Sequence, residues 1–277
     1  MKKSCAYLVV GAALLAFVLA ACGRQATNND SSQNKESQVV SVESEMAEPV
    51  DAVSPETSPD SDASFAQRVA SGELKSIRLV GDSITAGYGT EGYVDVTELV
   101  DTPVIYDDGM GNVIHEQPET VACWANEFRR WAKQEGIQSF VNAGISGWFM
   151  HDFAQSPDAW LLGGADVVVV ALGTNDAGYY GPQEFEADAR KALEAAEEKS
   201  KLVVVMAPVD DLRPTDLLVE PARELGDILQ TICSERGYVF VDPRTDVTPE
   251  LFCEDGLHPN EEGSHAIWEC LRSTLHI

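Results

Sequence analysis

Short apolar runs alternate with longer stretches of helical periodicity from about residue 73 to the end of the chain. Five apolar runs predict strands at residues 76–80, 139–142, 167–172, 202–207 and 238–241. Helical periodicity marks residues 122–135, 183–198, 221–236 and 261–271. Because the strand runs are continuously apolar, they suit a parallel sheet with helices on both faces. The pattern therefore predicts a three-layer α/β/α sandwich around a five-stranded parallel sheet.

One segment interrupts this alternation between the first predicted strand and its helix. Residues 89–121 contain two short apolar runs, at 104–106 and 113–114, separated by a polar stretch with two glycines. This arrangement predicts an inserted β-hairpin. Its position after the first strand allows two interpretations, a flap that shapes a substrate site or a surface feature.

The first residues have the pattern of a targeting segment. Two lysines precede an apolar run at 7–21, which ends at Cys22. The run Leu19-Ala20-Ala21-Cys22 resembles the lipobox of bacterial lipoproteins, and this resemblance implies cleavage before Cys22 and acylation of that residue. Residues 1–21 are therefore predicted to be a lipoprotein signal peptide. The alternatives are an ordinary secretory signal and an uncleaved helix.

Residues 22–72 are poor in large apolar side chains and rich in Ser, Asn, Glu, Asp and Pro. Such a composition cannot bury enough apolar surface to fold, so we predict a disordered polar tether, with at most a short helix at 63–70. A lipid on Cys22 would anchor the tether, and the folded domain predicted at 73–277, to the extracytoplasmic face of a cell membrane.

The composition limits the partners of this chain. Its formal charge is -27, from 46 acidic and 19 basic residues. Nucleic-acid binding needs clustered Lys and Arg to neutralise phosphates, so no nucleic-acid partner is predicted. The acidic balance suits the solubilising surface of an exported protein.

Four of the six cysteines fall in the predicted domain, at Cys123, Cys233, Cys253 and Cys270. In an exported protein they can form two disulfides of open connectivity, or they can remain buried free thiols. They show neither a CxxC pair nor a histidine at ligand spacing, so no metal site is predicted.

Polar residues follow four of the predicted strands, at ends that a parallel sheet gathers on one edge. They are Gly81-Asp82-Ser83, Asn142-Ala143-Gly144, Gly173-Thr174-Asn175-Asp176 and Asp255-Gly256-Leu257-His258. A serine hydroxyl needs a base to remove its proton and a further group to orient that base. We therefore predict Ser83 as a nucleophile, His258 as its base and Asp255 as the carboxylate that orients His258.

Attack by Ser83 on an ester carbonyl would create an oxyanion, which needs donors already aimed at it. The backbone N–H groups of Ser83 and Gly144 and the side-chain amide of Asn175 are available by position, and we predict that they form an oxyanion hole. Four nearby residues are candidates for lining the substrate pocket: Trp148, His151, Tyr179 and Tyr180.

The four blocks, in this order, resemble the SGNH hydrolases, the superfamily of GDSL-type esterases and lipases, and the resemblance covers residues 76–277. It implies a flavodoxin-like fold and an acyl-enzyme reaction that needs no metal or organic cofactor. It also implies the roles given above to Ser83, Gly144, Asn175, Asp255 and His258. Ile84 stands where the family name has Leu, and the inserted hairpin departs from the family pattern.

The combined prediction is an extracytoplasmic, membrane-anchored serine esterase. Location and family favour O-acetyl or other short acyl esters on carbohydrate as substrates. Two alternatives stay open. One is a lysophospholipase or acyl-thioesterase, since the family includes both, and the other is a catalytically silent glycan-binding lipoprotein.

Overall fold

The computed structural model describes residues 63–99 and 101–277. The predicted signal peptide, Cys22 and most of the predicted tether lie outside the described residues. None of the helices in the described part has the length and apolar character needed to span a membrane.

The described residues form seven strands: β1 (Ser76–Gly81), β2 (Val104–Asp107), β3 (Val113–His115), β4 (Ser139–Gly144), β5 (Val167–Ala171), β6 (Leu202–Met206) and β7 (Val239–Val241). Five of them make one parallel sheet in the order β4-β1-β5-β6-β7. The sequence prediction located each of these five strands. Because β1 lies inside the sheet, its carboxyl end opens between those of β4 and β5.

Eight α-helices lie among the described residues: α1 (Phe65–Ala70), α2 (Ser83–Ala86), α3 (Trp124–Gln134), α4 (Met150–Gln155), α5 (Pro157–Leu161), α6 (Pro182–Glu198), α7 (Ala222–Arg236) and α8 (Glu261–Leu275). The four long helices α3, α6, α7 and α8 correspond to the predicted ones. The sequence analysis did not predict α2, α4 and α5, which are too short to show a helical period.

Helices cover both faces of the sheet. Successive residues of a strand point to opposite faces, so Val168 and Val170 of β5 pack in a core with α4, α5, α6 and α7. Val167 and Val169 pack in a second core with α1, α3 and α8. This burial on both sides explains the continuous apolar runs. It confirms the predicted three-layer α/β/α sandwich with a five-stranded parallel sheet.

Helix α1 moves the start of the folded domain ahead of residue 73. Ser64 caps the helix through a reciprocal pair of hydrogen bonds with Gln67. Phe65 and Val69 are buried, and the Phe65 ring packs against Phe128 of α3 at a centroid distance of 6.4 Å. The short helix expected at 63–70 is therefore present as α1, and its two apolar residues at i, i+4 spacing pack on the domain ahead of the predicted boundary at residue 73.

The inserted hairpin is present, since β2 and β3 pair in an antiparallel two-stranded sheet. It packs beside β4, the outermost strand on that side, and buries Ile105 and Tyr106 in the core. The carboxylate of Glu116 accepts the Asn142 N–H of β4 at 2.6 Å and forms a buried ion pair with Arg129. The insertion therefore covers an edge of the sheet and satisfies one of its backbone groups.

The four cysteines of the domain are free thiols in the described structure. Cys123 and Cys233 are buried, whereas Cys253 and Cys270 are partly exposed. Burial raises the pKa of Cys233 and that of Cys270 to about 12, so both are protonated at neutral pH. Of the two arrangements that the sequence left open, this structure has the one without disulfides.

Candidate active site

Ser83 stands where β1 ends and α2 begins. Asp82 caps α2 by accepting the Ile84 N–H at 2.9 Å, and this turns the chain sharply after the strand. Ser83 is the first helical residue, so its own N–H has no acceptor within the helix. Gly81 makes the turn possible, because a Cβ there would lie 2.1 Å from the Thr85 hydroxyl.

A chain of hydrogen bonds joins the three predicted catalytic side chains. The Ser83 Oγ lies 2.8 Å from the His258 Nε2, and the His258 Nδ1 lies 2.7 Å from the Asp255 Oδ2. Ser83 and His258 are nearly buried, at 6% and 9% exposure. The structure therefore brings together residues that are 175 positions apart in the sequence, in the geometry of a nucleophile, a base and an orienting acid.

The loop that carries Asp255 and His258 is held by the Asp255 carboxylate itself. Its Oδ1 accepts the N–H groups of Leu257 and His258, each at 3.0 Å. Burial raises the pKa of Asp255, but the hydrogen bonds from the His258 backbone and ring outweigh it, so the pKa lies below its usual value. Asp255 is therefore ionised at neutral pH and can hold a proton on the Nδ1 of His258.

Gly144 does not have the free N–H that we expected from the sequence. It is buried at the end of β4, and its N–H donates to the Oδ1 of Asn142 at 3.0 Å. A Cβ on Gly144 would lie 2.5 Å from the backbone nitrogen of Ala86 in α2. The absence of a side chain at Gly144 thus allows β4 to approach α2, and the N–H is already engaged.

Gly147, three residues further on, has the properties expected of Gly144. It is exposed, and its φ of +81° is in the left-handed region that favours glycine. No atom lies within 4 Å of the position of an added Cβ, and the N–H donates to no other group among the described residues. The sequence analysis missed Gly147, although Gly144-Ile145-Ser146-Gly147 shows a second glycine after the strand.

Asn175 lies after β5 and fixes the loop that contains Gly147. Its Nδ2 donates one hydrogen to the Trp148 carbonyl at 2.8 Å, which leaves the second amide hydrogen for another acceptor. Asp176 holds the start of α4, which follows this loop, because its carboxylate accepts the N–H groups of Met150 at 2.9 Å and of His151 at 3.4 Å. The loop after β4 is thus tied to the loop after β5.

Two buried carboxyl groups lie behind this site. Burial raises the pKa of Asp82 to about 6 and that of Asp176 to about 7, and the charge of Asp82 contributes to the second shift. Both accept backbone hydrogen bonds that fix loops, so they support the site from behind. Among residues 63–99 and 101–277, no cluster of three or more His, Cys, Asp or Glu side chains is arranged to hold a metal ion.

Aromatic side chains border the Ser83–His258 pair. The Tyr88 ring lies 4.5 Å from the His258 ring, and Tyr88 also packs edge-on against Tyr93, whose hydroxyl is 2.8 Å from the Ser146 Oγ. Tyr88 directly precedes the insertion and Tyr93 lies at its start, and neither was predicted from the sequence. The hairpin itself approaches the site through Tyr106, whose ring packs on Trp148 at 4.8 Å.

The family of this chain follows from a comparison with family models. The model described as the GDSL-like Lipase/Acylhydrolase family matches residues 79–266, well over half of the sequence. The chain belongs to this family. As a GDSL-like member it is a carboxylic ester hydrolase, in agreement with the prediction from the four blocks. No curated protein sequence matches the chain.

Several solved structures share the fold of this GDSL-like protein. A catalytic mutant of an acetylxylan esterase from Geobacillus stearothermophilus is 17% identical, with a TM-score of 0.56 over 73% of this chain and 94% of the other. A protein from Desulfitobacterium hafniense of the lipolytic G-D-S-L family is 16% identical, with a TM-score of 0.53 over 72% and 99%. At these identities the similarity shows the fold.

Proposed function

We propose that this GDSL-like protein hydrolyses O-acetyl and other short acyl esters on carbohydrate through an acyl-enzyme on Ser83. The observation that carries the proposal is the continuous path from Ser83 Oγ to His258 Nε2, at 2.8 Å, and from His258 Nδ1 to Asp255, at 2.7 Å. Such a path activates a hydroxyl that is otherwise a weak nucleophile.

The reaction proceeds in two displacements. The Ser83 Oγ attacks the ester carbonyl carbon while the His258 Nε2 takes the hydroxyl proton, and the tetrahedral intermediate then collapses. The alcohol leaves with that proton, and an acyl-enzyme remains. Water then gives a proton to His258 and attacks the acyl carbon, which releases the acid and returns the proton to Ser83. Ionised Asp255 stabilises the protonated His258 in both steps.

The oxyanion hole in this proposal differs by one residue from the predicted one. We assign its donors to the N–H groups of Ser83 and Gly147 and to the second amide hydrogen of Asn175. Gly147 replaces Gly144, because the Gly144 N–H is already donated to Asn142. Preorganised donors of this kind stabilise the charge that develops in the transition state. Removal of one such donor typically raises the activation free energy by about 2.7–4 kcal/mol.

Two observations support carbohydrate esters as the substrate class. Among proteins of the same fold is an esterase described as acting on acetylxylan. Exposed aromatic rings also lie on the segments that carry the site, with Tyr88, five residues after Ser83, 40% exposed and Tyr179, four residues after Asn175, 71% exposed. Placement outside the cell, through the predicted signal peptide at 1–21 and a lipid on Cys22, stays part of the proposal.

Fluorophosphonate labelling of the purified protein tests the nucleophile. We expect labelling of the wild type at Ser83, no labelling of Ser83→Ala, and full labelling of the control Ser234→Ala, which removes a hydroxyl bonded within α7. A wild type that does not label, or a Ser83→Ala variant that labels equally, contradicts the proposal and favours the catalytically silent alternative.

A panel of p-nitrophenyl esters and acetylated xylo-oligosaccharides tests the substrate class. We expect the highest kcat/KM on acetyl esters and a decline as the acyl chain lengthens. Activity that rises through long acyl chains contradicts the short-acyl proposal and favours the lysophospholipase or thioesterase alternative. Discrimination of this kind reports differential binding of the transition state.

A further inference from the structure

Four side chains form an aromatic surface beside the proposed active site. Tyr179 packs against the Phe149 ring at 5.2 Å and 81°, and Tyr180 packs against the same ring at 5.9 Å and 90°. His151 stacks on Tyr180 at 5.0 Å and 24°. We call Phe149, His151, Tyr179 and Tyr180 the aromatic shelf.

Phe149, Tyr179 and Tyr180 lie on the loops that carry Gly147 and Asn175, and His151 lies in the first turn of α4. Phe149 follows Trp148, whose carbonyl accepts the Asn175 amide, and Tyr179 is four residues after Asn175. The Tyr88 ring packs against the other catalytic side chain, His258, at a centroid distance of 4.5 Å and a tilt of 43°. The shelf therefore adjoins the segments that carry Gly147 and Asn175. A further tyrosine, Tyr88, contacts His258, the proposed catalytic base.

Packing alone does not explain why the Tyr179 side chain is exposed to solvent. Its side chain is 71% exposed, although burying an aromatic ring of this size would be favourable. Its contact with Phe149 is edge-on, which leaves the face of the Tyr179 ring open to solvent. An exposed ring face on a loop that carries a site residue is suited to stack against a flat, partly apolar ligand.

His151 adds an oriented polar group to the shelf. Its Nδ1 lies 2.8 Å from the Oδ2 of Asp188, which is 17% exposed, and this contact places a proton on Nδ1. The Nε2 makes no hydrogen bond to another described residue, and the side chain is 36% exposed. His151 can therefore accept a hydrogen bond from a ligand hydroxyl next to the stacked rings.

Acidic groups around Tyr180 disfavour an anionic ligand on that side of the shelf, while Arg213, which pairs with Asp211, lies near Tyr179. Burial first, and then the nearby acidic groups Asp152, Asp176, Asp188 and Glu184, raise the pKa of the Tyr180 hydroxyl. A phosphate headgroup or an acidic sugar would meet this negative field, and a long acyl chain would have to desolvate the His151–Asp188 pair. A neutral pyranose has an apolar face for the rings and hydroxyls for His151.

We infer that the aromatic shelf is the subsite for the neutral sugar ring that carries the ester, with Tyr179 as its stacking surface and His151 as its hydroxyl acceptor. This inference rests on the proposed function and adds to it the residues that distinguish a carbohydrate ester from a simple ester. The ring binds on the shelf, and its acyl group reaches Ser83.

The test compares two acetyl esters in the same variants. For Tyr179→Ala we expect the ratio of kcat/KM on an acetylated neutral xylo-oligosaccharide to kcat/KM on p-nitrophenyl acetate to fall about tenfold, mainly through KM. Tyr179→Phe should restore the ratio to within about threefold, because it keeps the stacking face. His151→Ala should lower the ratio by about fivefold through the lost hydrogen bond.

Met110→Ala is the matched control, since Met110 is an apolar side chain with 84% exposure at the turn of the inserted hairpin. It should leave the ratio unchanged, and thermal melting should show that all variants are folded. An unchanged ratio in Tyr179→Ala overturns the subsite. A wild type that hydrolyses p-nitrophenyl acetate but none of the acetylated oligosaccharides also overturns the subsite. That outcome would leave the ester hydrolase activity itself in place.

Calorimetric titration with unacetylated xylo-oligosaccharide separates this inference from the proposed function. If the wild type hydrolyses no ester, the proposed function fails, and the subsite is then decided by binding. Weaker binding by Tyr179→Ala than by wild type and Met110→Ala supports the subsite. Equal binding by the three proteins, or no binding, overturns it.

Discussion

The Gly144 N–H donates to the Asn142 side chain across 3.0 Å, so Gly144 at the end of β4 and Gly147 in the loop that follows have different roles. Gly144 lets β4 approach α2, since a Cβ there would lie 2.5 Å from the Ala86 nitrogen. Gly147 is exposed, with its N–H free of other described groups. One glycine supports packing, and the other keeps the free N–H that the proposed oxyanion hole requires.

Substitution of each glycine should separate these tasks. Gly144→Ala should lower the free energy of unfolding by about 1–3 kcal/mol through overpacking against α2. Gly147→Ala should lower the free energy of unfolding by about 1–2 kcal/mol, because alanine is strained at its positive φ. It should lower kcat/KM more strongly than Gly144→Ala does, because the added methyl group enters open space at the site. Urea unfolding and ester hydrolysis measure the two effects. A larger catalytic loss in Gly144→Ala would contradict the assignment of the donor to Gly147.

Asn175→Ala should lower kcat by about 10²–10³ with little change in KM, because an oxyanion donor acts in the transition state. The comparison with Asn175→Asp, which keeps the size but loses the amide donor, shows whether donation matters. Asn112→Ala, in the exposed hairpin turn, is the control and should match wild type. A kcat within about threefold of wild type in Asn175→Ala would exclude Asn175 from the oxyanion hole.

His258→Ala should remove nearly all turnover, whereas Asp255→Ala should retain more. The base is lost in the first variant, but in the second the Tyr88 ring still packs on His258 at 4.5 Å and limits its orientation. Initial rates on p-nitrophenyl acetate measure the difference. Wild-type activity in His258→Ala would refute the role of His258 as the base.

Asp176 should make the stability depend on pH. Burial raises its pKa in the folded state to about 7, above the usual value of 3.8. The folded protein thus binds the proton more tightly than the unfolded chain, and the stabilising contribution present below about pH 4 is lost as the pH rises through 7. Asp176→Asn removes the titratable carboxyl group. The free energy of unfolding of this variant should therefore fall less between pH 5 and pH 8 than that of the wild type. Equal falls in urea titrations would show that Asp176 does not titrate in this range.

Glu116→Ala should destabilise the fold by about 3–5 kcal/mol, because it leaves Arg129 as a buried charge without this partner and removes the acceptor of the Asn142 N–H. Both side chains of the pair are at most 5% exposed. The exposed pair of Glu186 with Arg190 on α6 offers a control. Glu186→Ala should lower the free energy of unfolding by no more than about 0.5 kcal/mol. Similar losses in chemical unfolding of the two variants would contradict this account.

The sequence by itself determined the layers of this protein and the residues at the ends of its strands. Burial on both faces of a parallel sheet requires continuous apolar runs, so the strands at β5 and β6 are visible without a structure. The carboxyl ends of parallel strands share one edge, and this placed Ser83, Asn175 and His258 near one another before any distance was known. These features follow from local pattern and sheet topology.

The tertiary structure decided which of these groups are free to act. The hydrogen bond from Gly144 to Asn142, the packing of Tyr88 against His258 and the contact of Glu116 with β4 each depend on side-chain orientation or on elements distant in sequence. The packing of Phe65 on α3 likewise gave order to a segment that composition assigned to the tether. Periodicity reports which face of an element is buried. It carries no information about which donor finds which acceptor, because that depends on distances set by the whole fold.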